Sequence, residues 1–184
     1  MIYEFCAENV TLLEKAMQAG ARRIELCDNL AVGGTTPSYG VTKAAVELAA
    51  NYDTTIMTMI RPRGGDFVYN DLEIAIMLED IRLTAQAGSQ GVVFGALTAD
   101  KKLDKANLEK LIAASKGMEI VFHMAFDELS DVDQLEAIDW LSQAGVTRIL
   151  THAGVSGDSL EKRFAHYHRI LEHAKGKIEI LPGG

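Results

Sequence analysis

Three stretches of the chain share one grammar: Ala19-Gly-Ala-Arg-Arg-Ile-Glu-Leu26, Ala87-Gly-Ser-Gln-Gly-Val-Val-Phe94 and Ala144-Gly-Val-Thr-Arg-Ile-Leu-Thr151. In each, a glycine suited to left-handed backbone closes a helix and a short, apolar strand follows at once. Tyr3 to Cys6, Thr54 to Arg61, Met118 to His123 and the stretch from Ile178 read as further strands. Helices are expected from Glu8-Asn9 to Gly20 and over 41–50, 71–87, 106–116, 131–144 and 159–174. Strand and helix in strict alternation, joined by right-handed crossovers, give a parallel sheet covered by helices.

No Gly-x-Gly-x-x-Gly fingerprint follows the first strand, and polar residues recur at nearly every strand end instead of at one switch point. A (β/α)8 barrel of the TIM type is therefore expected over an open doubly wound sheet. About seven strands can be counted where a closed barrel has eight. The chain stops at Pro182-Gly183-Gly184, the end of the seventh, so 1–184 is expected to be a single barrel domain lacking its closing unit. On the helices, Val10, Leu13, Ala16 and Met17, and then Leu72, Ile76, Met77, Ile81 and Ala85, are read as core-facing stripes. Trp140 is read as core, and His166, His168 and His173 as solvated surface.

The 26 acidic residues against 18 basic ones leave a net charge of −8, which opposes attraction to phosphate backbones and anionic membranes. Neither nucleic acid nor membrane is an expected partner. Without a basic, apolar leader or a run of membrane-spanning length, a cytoplasmic location is expected. Two cysteines are too few for a disulfide framework.

In a parallel barrel the strand C-termini converge on one rim, which here collects Glu4, Cys6, Glu25, Cys27, Arg61, Arg63, His123, Asp127, His152 and the final glycines. Cys6 and Cys27, read at equal heights on neighbouring strands, are either two small buried thiols or a pair of soft ligands for Cu(I). Glu4 and Glu25 are costly inside a barrel unless paired, with Arg61 the expected partner. They otherwise suit acid/base chemistry or a hard metal. Arg61 and Arg63, at the end of a buried strand, suit a small anion. His123 with Asp127 four residues on suits an oriented imidazole for proton transfer or ligation. The backbone donors of Gly33, Gly34, Thr35 and Thr36 are weak candidates for a phosphate.

Glu4-Phe-Cys6, Ala19-Gly-Ala-Arg-Arg-Ile-Glu-Leu-Cys27, Gly33-Gly-Thr-Thr-Pro-Ser-Tyr-Gly40, Met59-Ile-Arg-Pro-Arg-Gly-Gly-Asp-Phe-Val-Tyr69, Gly95-Ala-Leu-Thr98, Phe122-His-Met-Ala-Phe-Asp127 and Leu181-Pro-Gly-Gly184 together resemble the CutC family of copper homeostasis proteins. The resemblance spans the chain. It implies a cytoplasmic (β/α)8 barrel associated with copper tolerance and Cu(I) binding, with no established enzymatic reaction. It favours the soft-ligand reading of Cys6 and Cys27, and a barrel enzyme acting on a small anionic metabolite is the alternative, with Glu4, Glu25, His123 and Asp127 as acid/base groups and Arg61 and Arg63 for the anion. The family continues past a Pro-Gly-Gly-Gly-Ile segment. This chain also carries Met124 in place of a usual arginine, and His152-Ala153 where Ser-Gly is usual. A homo-oligomer is compatible with such a barrel.

Overall fold

The computed structural model describes residues 2–154 and 159–183. Seven strands alternate with six α-helices: β1 Glu4–Glu8, α1 Leu13–Gln18, β2 Arg23–Cys27, α2 Tyr39–Ala49, β3 Thr55–Met59, α3 Asp71–Ala87, β4 Gly91–Phe94, α4 Lys105–Ala114, β5 Glu119–Phe122, α5 Asp131–Gln143, β6 Arg148–Thr151, α6 Leu160–Ala174 and β7 Glu179–Pro182. The strands follow one another in the sheet in chain order, β1 to β7. This order decides the fold class. A doubly wound sheet reverses direction from its first strand, whereas a barrel adds each strand on the same side as the last. The fold is that of a (β/α)8 barrel of the TIM type, with seven of its strands among the described residues.

The chain forms two compact units. The first comprises Met1–Asp66, Asn70–Phe94 and Ala113–Glu119, and the second Phe67–Tyr69, Gly95–Ile112 and Ile120–Gly184. In the first unit β1, β2, β3 and β4 pair in parallel. Alternation along β2 sends Ile24 and Leu26 to one face. They join Ala7, Leu13, Met17, Ala45, Ala49 and Ile56 in a hydrophobic cluster beneath α1 and α2. Each large apolar side chain fully buried this way contributes roughly 1.5–3 kcal/mol. The opposite face of β2 carries Arg23, Glu25 and Cys27, all buried. In the second unit β6 pairs in parallel with β5 and β7.

Local chemistry sets the element ends. The Asn70 side chain accepts from Glu73 N while Glu73 Oε2 accepts from Asn70 N at 2.9 Å, a capping box that starts α3. Ser38, Ser130 and Ser159 cap α2, α5 and α6. Gly88, which ends α3, adopts φ 88°, the left-handed backbone expected from the repeat.

Four sequence expectations need correction. The buried face of α3 is Ile74, Met77, Ile81 and Thr84, residues spaced three and four apart, so Met77 and Ile81 face the core as expected while Leu72, Ile76 and Ala85 are exposed on the other side of the helix. Val10 is exposed in the turn before α1, which starts only at Leu13. Trp140 is half-buried, with the Lys105 ammonium 5.8 Å from its ring centre. Of the three α6 histidines, His168 is exposed as expected, but His166 hydrogen-bonds Gln134 Oε1 at 2.7 Å and His173 hydrogen-bonds Asp139 at 3.0 Å, fastening α6 to α5. No helix among the described residues is long and apolar enough to cross a membrane.

Candidate metal centre

In the β1–β2 register Cys6 lies opposite Glu25, and Glu8 opposite Cys27. The cysteines are therefore not level, as the sequence suggested, but offset by two residues along adjacent strands. Strand spacing and rise put such Cα atoms about 8 Å apart. A disulfide needs less than about 7 Å without backbone movement, so the register favours two thiols over a bridge. Both are free. A ligand atom from each of Cys6, Glu25 and Cys27 nevertheless converges, all within 4.8 Å of one another. Cys6 is exposed and Cys27 buried, so the cluster runs from surface to interior.

The electrostatics are uneven. Cys6 is lowered from an ordinary thiol value to about 7, chiefly by the Cys27 thiol acting as hydrogen-bond donor, against the opposing effect of burial. Cys27 is pushed up by that same bond and by burial, although the Arg61 charge pulls the other way. Glu25 is raised well above the usual carboxylate range, first by burial and then by the charges of Cys6 and Glu4. Its Oε1 is buried and has no hydrogen-bond partner among the described residues. A buried carboxyl oxygen without a donor is costly unless a cation or metal meets it.

The loop after β2 covers this cluster. A Cβ on Gly34 would stand 3.1 Å from Cys27 Sγ, and one on Gly33 would stand 3.2 Å from Arg61 Nη1; both glycines also have positive φ. The N–H groups of Gly33, Gly34, Thr35 and Thr36 go to the carbonyls of Leu30, Asn29, Asp28 and Arg61. The phosphate cradle expected there is thus occupied by main chain. Arg61 fastens the loop: its Nη1 donates to Val32 O and Gly34 O at 2.8 and 2.9 Å, and its Nη2 to Gly65 O at 2.7 Å. Arg63 Nε donates to Glu73 Oε1 at 2.5 Å and Nη2 to Asp66 Oδ1 at 3.0 Å. Glu4 pairs with Arg23, not with Arg61, where β1 and β2 begin. In a barrel that end is associated with stability more than with chemistry.

His123 and Asp127 belong to the second unit. His123 is buried, its ring 4.8 Å from Phe67, and Nδ1 accepts from Ala125 N at 3.2 Å, which leaves the proton of the neutral ring on Nε2. A Cβ on Gly95 would fall 2.7 Å from that imidazole. Asp127 accepts from the Thr151 hydroxyl and, at 3.0 Å, from His152 N. Tyr167 OH donates to Thr151 O at 2.7 Å, and His152 Nδ1 meets Gly183 O at 2.9 Å. Gly184 lies outside the described residues.

The donor set combines residues that the sequence reading kept apart, the thiols as one pair and Glu25 as a partner for Arg61. The available signal was the period-two alternation of β2, which places Glu25 and Cys27 on one face. The packing of Gly34 on Cys27 and of Gly95 under His123 had no signal beyond the presence of glycine.

The profile of the CutC family matches residues 1–184. The chain belongs to the CutC family. A CutC family protein of Enterococcus faecalis is 52% identical over 184 residues, covering all of this chain and 88% of that protein. The human copper homeostasis protein cutC homolog is 41% identical over 183 residues, covering all of this chain and 64% of the human protein. The crystal structure of CutC from Streptococcus agalactiae superposes with a TM-score of 0.96 at 46% identity, covering 100% of this chain and 88% of that one.

Proposed function

We propose that this CutC chain is a cytoplasmic copper-handling protein that binds Cu(I) between Cys6 and Cys27. One observation carries the reading: two thiols, one exposed and one buried, whose sulfurs lie within 4.8 Å of each other. Thiolate pairs select soft ions, and Cu(I) is the soft ion that the human relative's name brings into consideration. The two cysteines would act in turn. Cys6, held about half ionised near neutral pH, is the accessible entry ligand. Cys27, packed under Gly34, keeps its proton until a cation arrives and then closes the pair.

The alternative, acid/base turnover of a small anion, draws less support. The guanidinium contacts of Arg61 are with loop carbonyls, and those of Arg63 are with Glu73, Asp66 and the carbonyls of Gly64 and Asp66. The test is a Cu(I) titration of the reduced protein against a competing chelator, with Cys6→Ser/Cys27→Ser beside it. One ion per chain, lost in the double variant while its unfolding transition persists, is the expected result. Binding indifferent to both serines would end the copper reading.

A further inference from the structure

Cu(I) held by two thiolates makes no use of the third donor, yet Glu25 is built into the cluster. Its side chain is more than nine-tenths buried, Oε1 is without a hydrogen-bond partner among the described residues, and one of its oxygens lies within 4.8 Å of both sulfurs. A carboxylate oxygen is a poor ligand for a soft monovalent ion and a good one for a borderline divalent ion. Zinc in particular takes mixed sulfur and oxygen donors, at about 2.3 Å for sulfur and about 2.0–2.2 Å for a carboxylate oxygen. We infer that the Cys6–Glu25–Cys27 cluster is also a zinc site, with three protein ligands and a fourth position open to solvent beside Cys6.

The inference rests on reading this cluster as a metal centre, but it assigns a second ion and a separate role to Glu25. Each donor sits on a strand, so the triad is held by the register: Cys6 opposite Glu25 on β1 and β2, and Cys27 two residues further along. The third donor lies on the buried side, leaving the exposed Cys6 side for the fourth ligand. A closed structural zinc site has four protein ligands, whereas three with an open position make an exchangeable or reactive one. Glu25 then separates the two ions, required for zinc and dispensable for Cu(I).

The experiment titrates the reduced full chain with Zn2+ against a chromophoric chelator, and with Cu(I) against its own competitor. Wild type, Glu25→Gln and Cys6→Ser/Cys27→Ser are compared, with thermal unfolding as the control for folding. Wild type is expected to bind one Zn2+. Glu25→Gln should weaken Zn2+ by about 100-fold or more, beyond the 10- to 100-fold cost of an outer-shell change, and leave Cu(I) affinity unchanged. The double serine variant should lose both ions. Absence of zinc binding in wild type, or equal weakening of both ions by Glu25→Gln, overturns the inference. If the serines abolish zinc binding and leave Cu(I) untouched, the copper reading fails and the zinc site stands. Should Glu25→Gln not fold, Co2+ substitution in wild type decides: thiolate-to-cobalt charge transfer with strong four-coordinate visible bands is expected, and weak six-coordinate bands without charge transfer refute the site.

Discussion

Glu25 and Asp127 are two carboxyls withdrawn from water, one in each compact unit, and burial raises the pKa of both, that of Glu25 well above its ordinary value. Their surroundings differ. Asp127 accepts from the Thr151 hydroxyl and from His152 N, and these two donors offset part of the burial effect. Glu25 has two thiols beside it and no hydrogen bond to Oε1. What a buried carboxyl touches, rather than how deeply it lies, separates a ligand from a fastening. Asp127 ties the 3-10 turn Met124–Glu128 to the end of β6, where Thr151 in turn accepts from Ala153 N and its carbonyl accepts from Tyr167 OH. Cys6, by contrast, hydrogen-bonds with Cys27 and with Glu25, so these contacts stay within the cluster of possible ligands.

If the first region is reactive and the second structural, the largest difference lies in thiol chemistry. Site-resolved alkylation should modify Cys6 with a midpoint near pH 7, the value at which it is half ionised. At pH 7 an ordinary thiol is only a few per cent thiolate, so Cys6 should react roughly tenfold faster. Cys27, buried and shifted upward, should remain unmodified until the protein unfolds. Equal rates at the two cysteines, both rising around the ordinary thiol range, would remove the distinction between entry and inner ligand.

Stability should divide the regions the other way. Asp127→Ala strips the Thr151 hydroxyl and His152 N–H of their acceptor, at a cost of about 1–3 kcal/mol for each buried group left unsatisfied. Near pH 4, where Glu25 is protonated in both the folded and the unfolded state, Glu25→Gln exchanges one neutral group for another, removes no hydrogen bond to Oε1 and should leave the denaturant midpoint nearly unchanged. The reverse ranking would make Glu25 the fastening. Gly95→Ala tests the second region again, since its Cβ would meet the His123 imidazole at 2.7 Å and the Ala125 Cβ at 3.1 Å. His123 is buried and caps the following turn, so it has little room to move, and overpacking should cost about 1–3 kcal/mol in the same denaturation experiment.

The two regions were unequally legible in the sequence. The repeat Ala-Gly followed by an apolar strand carried the barrel, because left-handed glycines and period-two strands are local signals. Glu25 and Cys27 on one face followed from the same periodicity. The offset between Cys6 and Cys27 did not, because register is a relation between strands and is fixed by packing across the pair. Nor did the partners of the arginines. Arg61 at a strand end reads as an anion site, and only the folded loop reveals that Val32, Gly34 and Gly65 supply its carbonyls. The anchoring of Asp127 by Thr151 and His152 spans about two dozen residues of sequence and leaves no local trace.

The smallest expected effect separates the two carboxyls by pH. A carboxyl whose folded-state pKa is raised binds a proton when folded that it has already lost when unfolded. Stability linked to it is fully present below the unfolded pKa, about 4.3 for Glu, and is lost as pH rises through the folded value. Both Glu25 and Asp127 contribute in that direction, with a slope of at most about 1.4 kcal/mol per pH unit for each proton. The window is wider for Glu25, which is shifted further and has no donor on Oε1 to restrain it. Unfolding free energy measured from pH 4.5 upward, in metal-free protein, should therefore fall in wild type and flatten in Glu25→Gln. Asp127→Asn should remove a smaller part of the slope. Equal flattening by the two amides would mean that the donors on Asp127 do not relieve its burial, and the contrast between an unsatisfied ligand and a satisfied fastening would fail at its physical root.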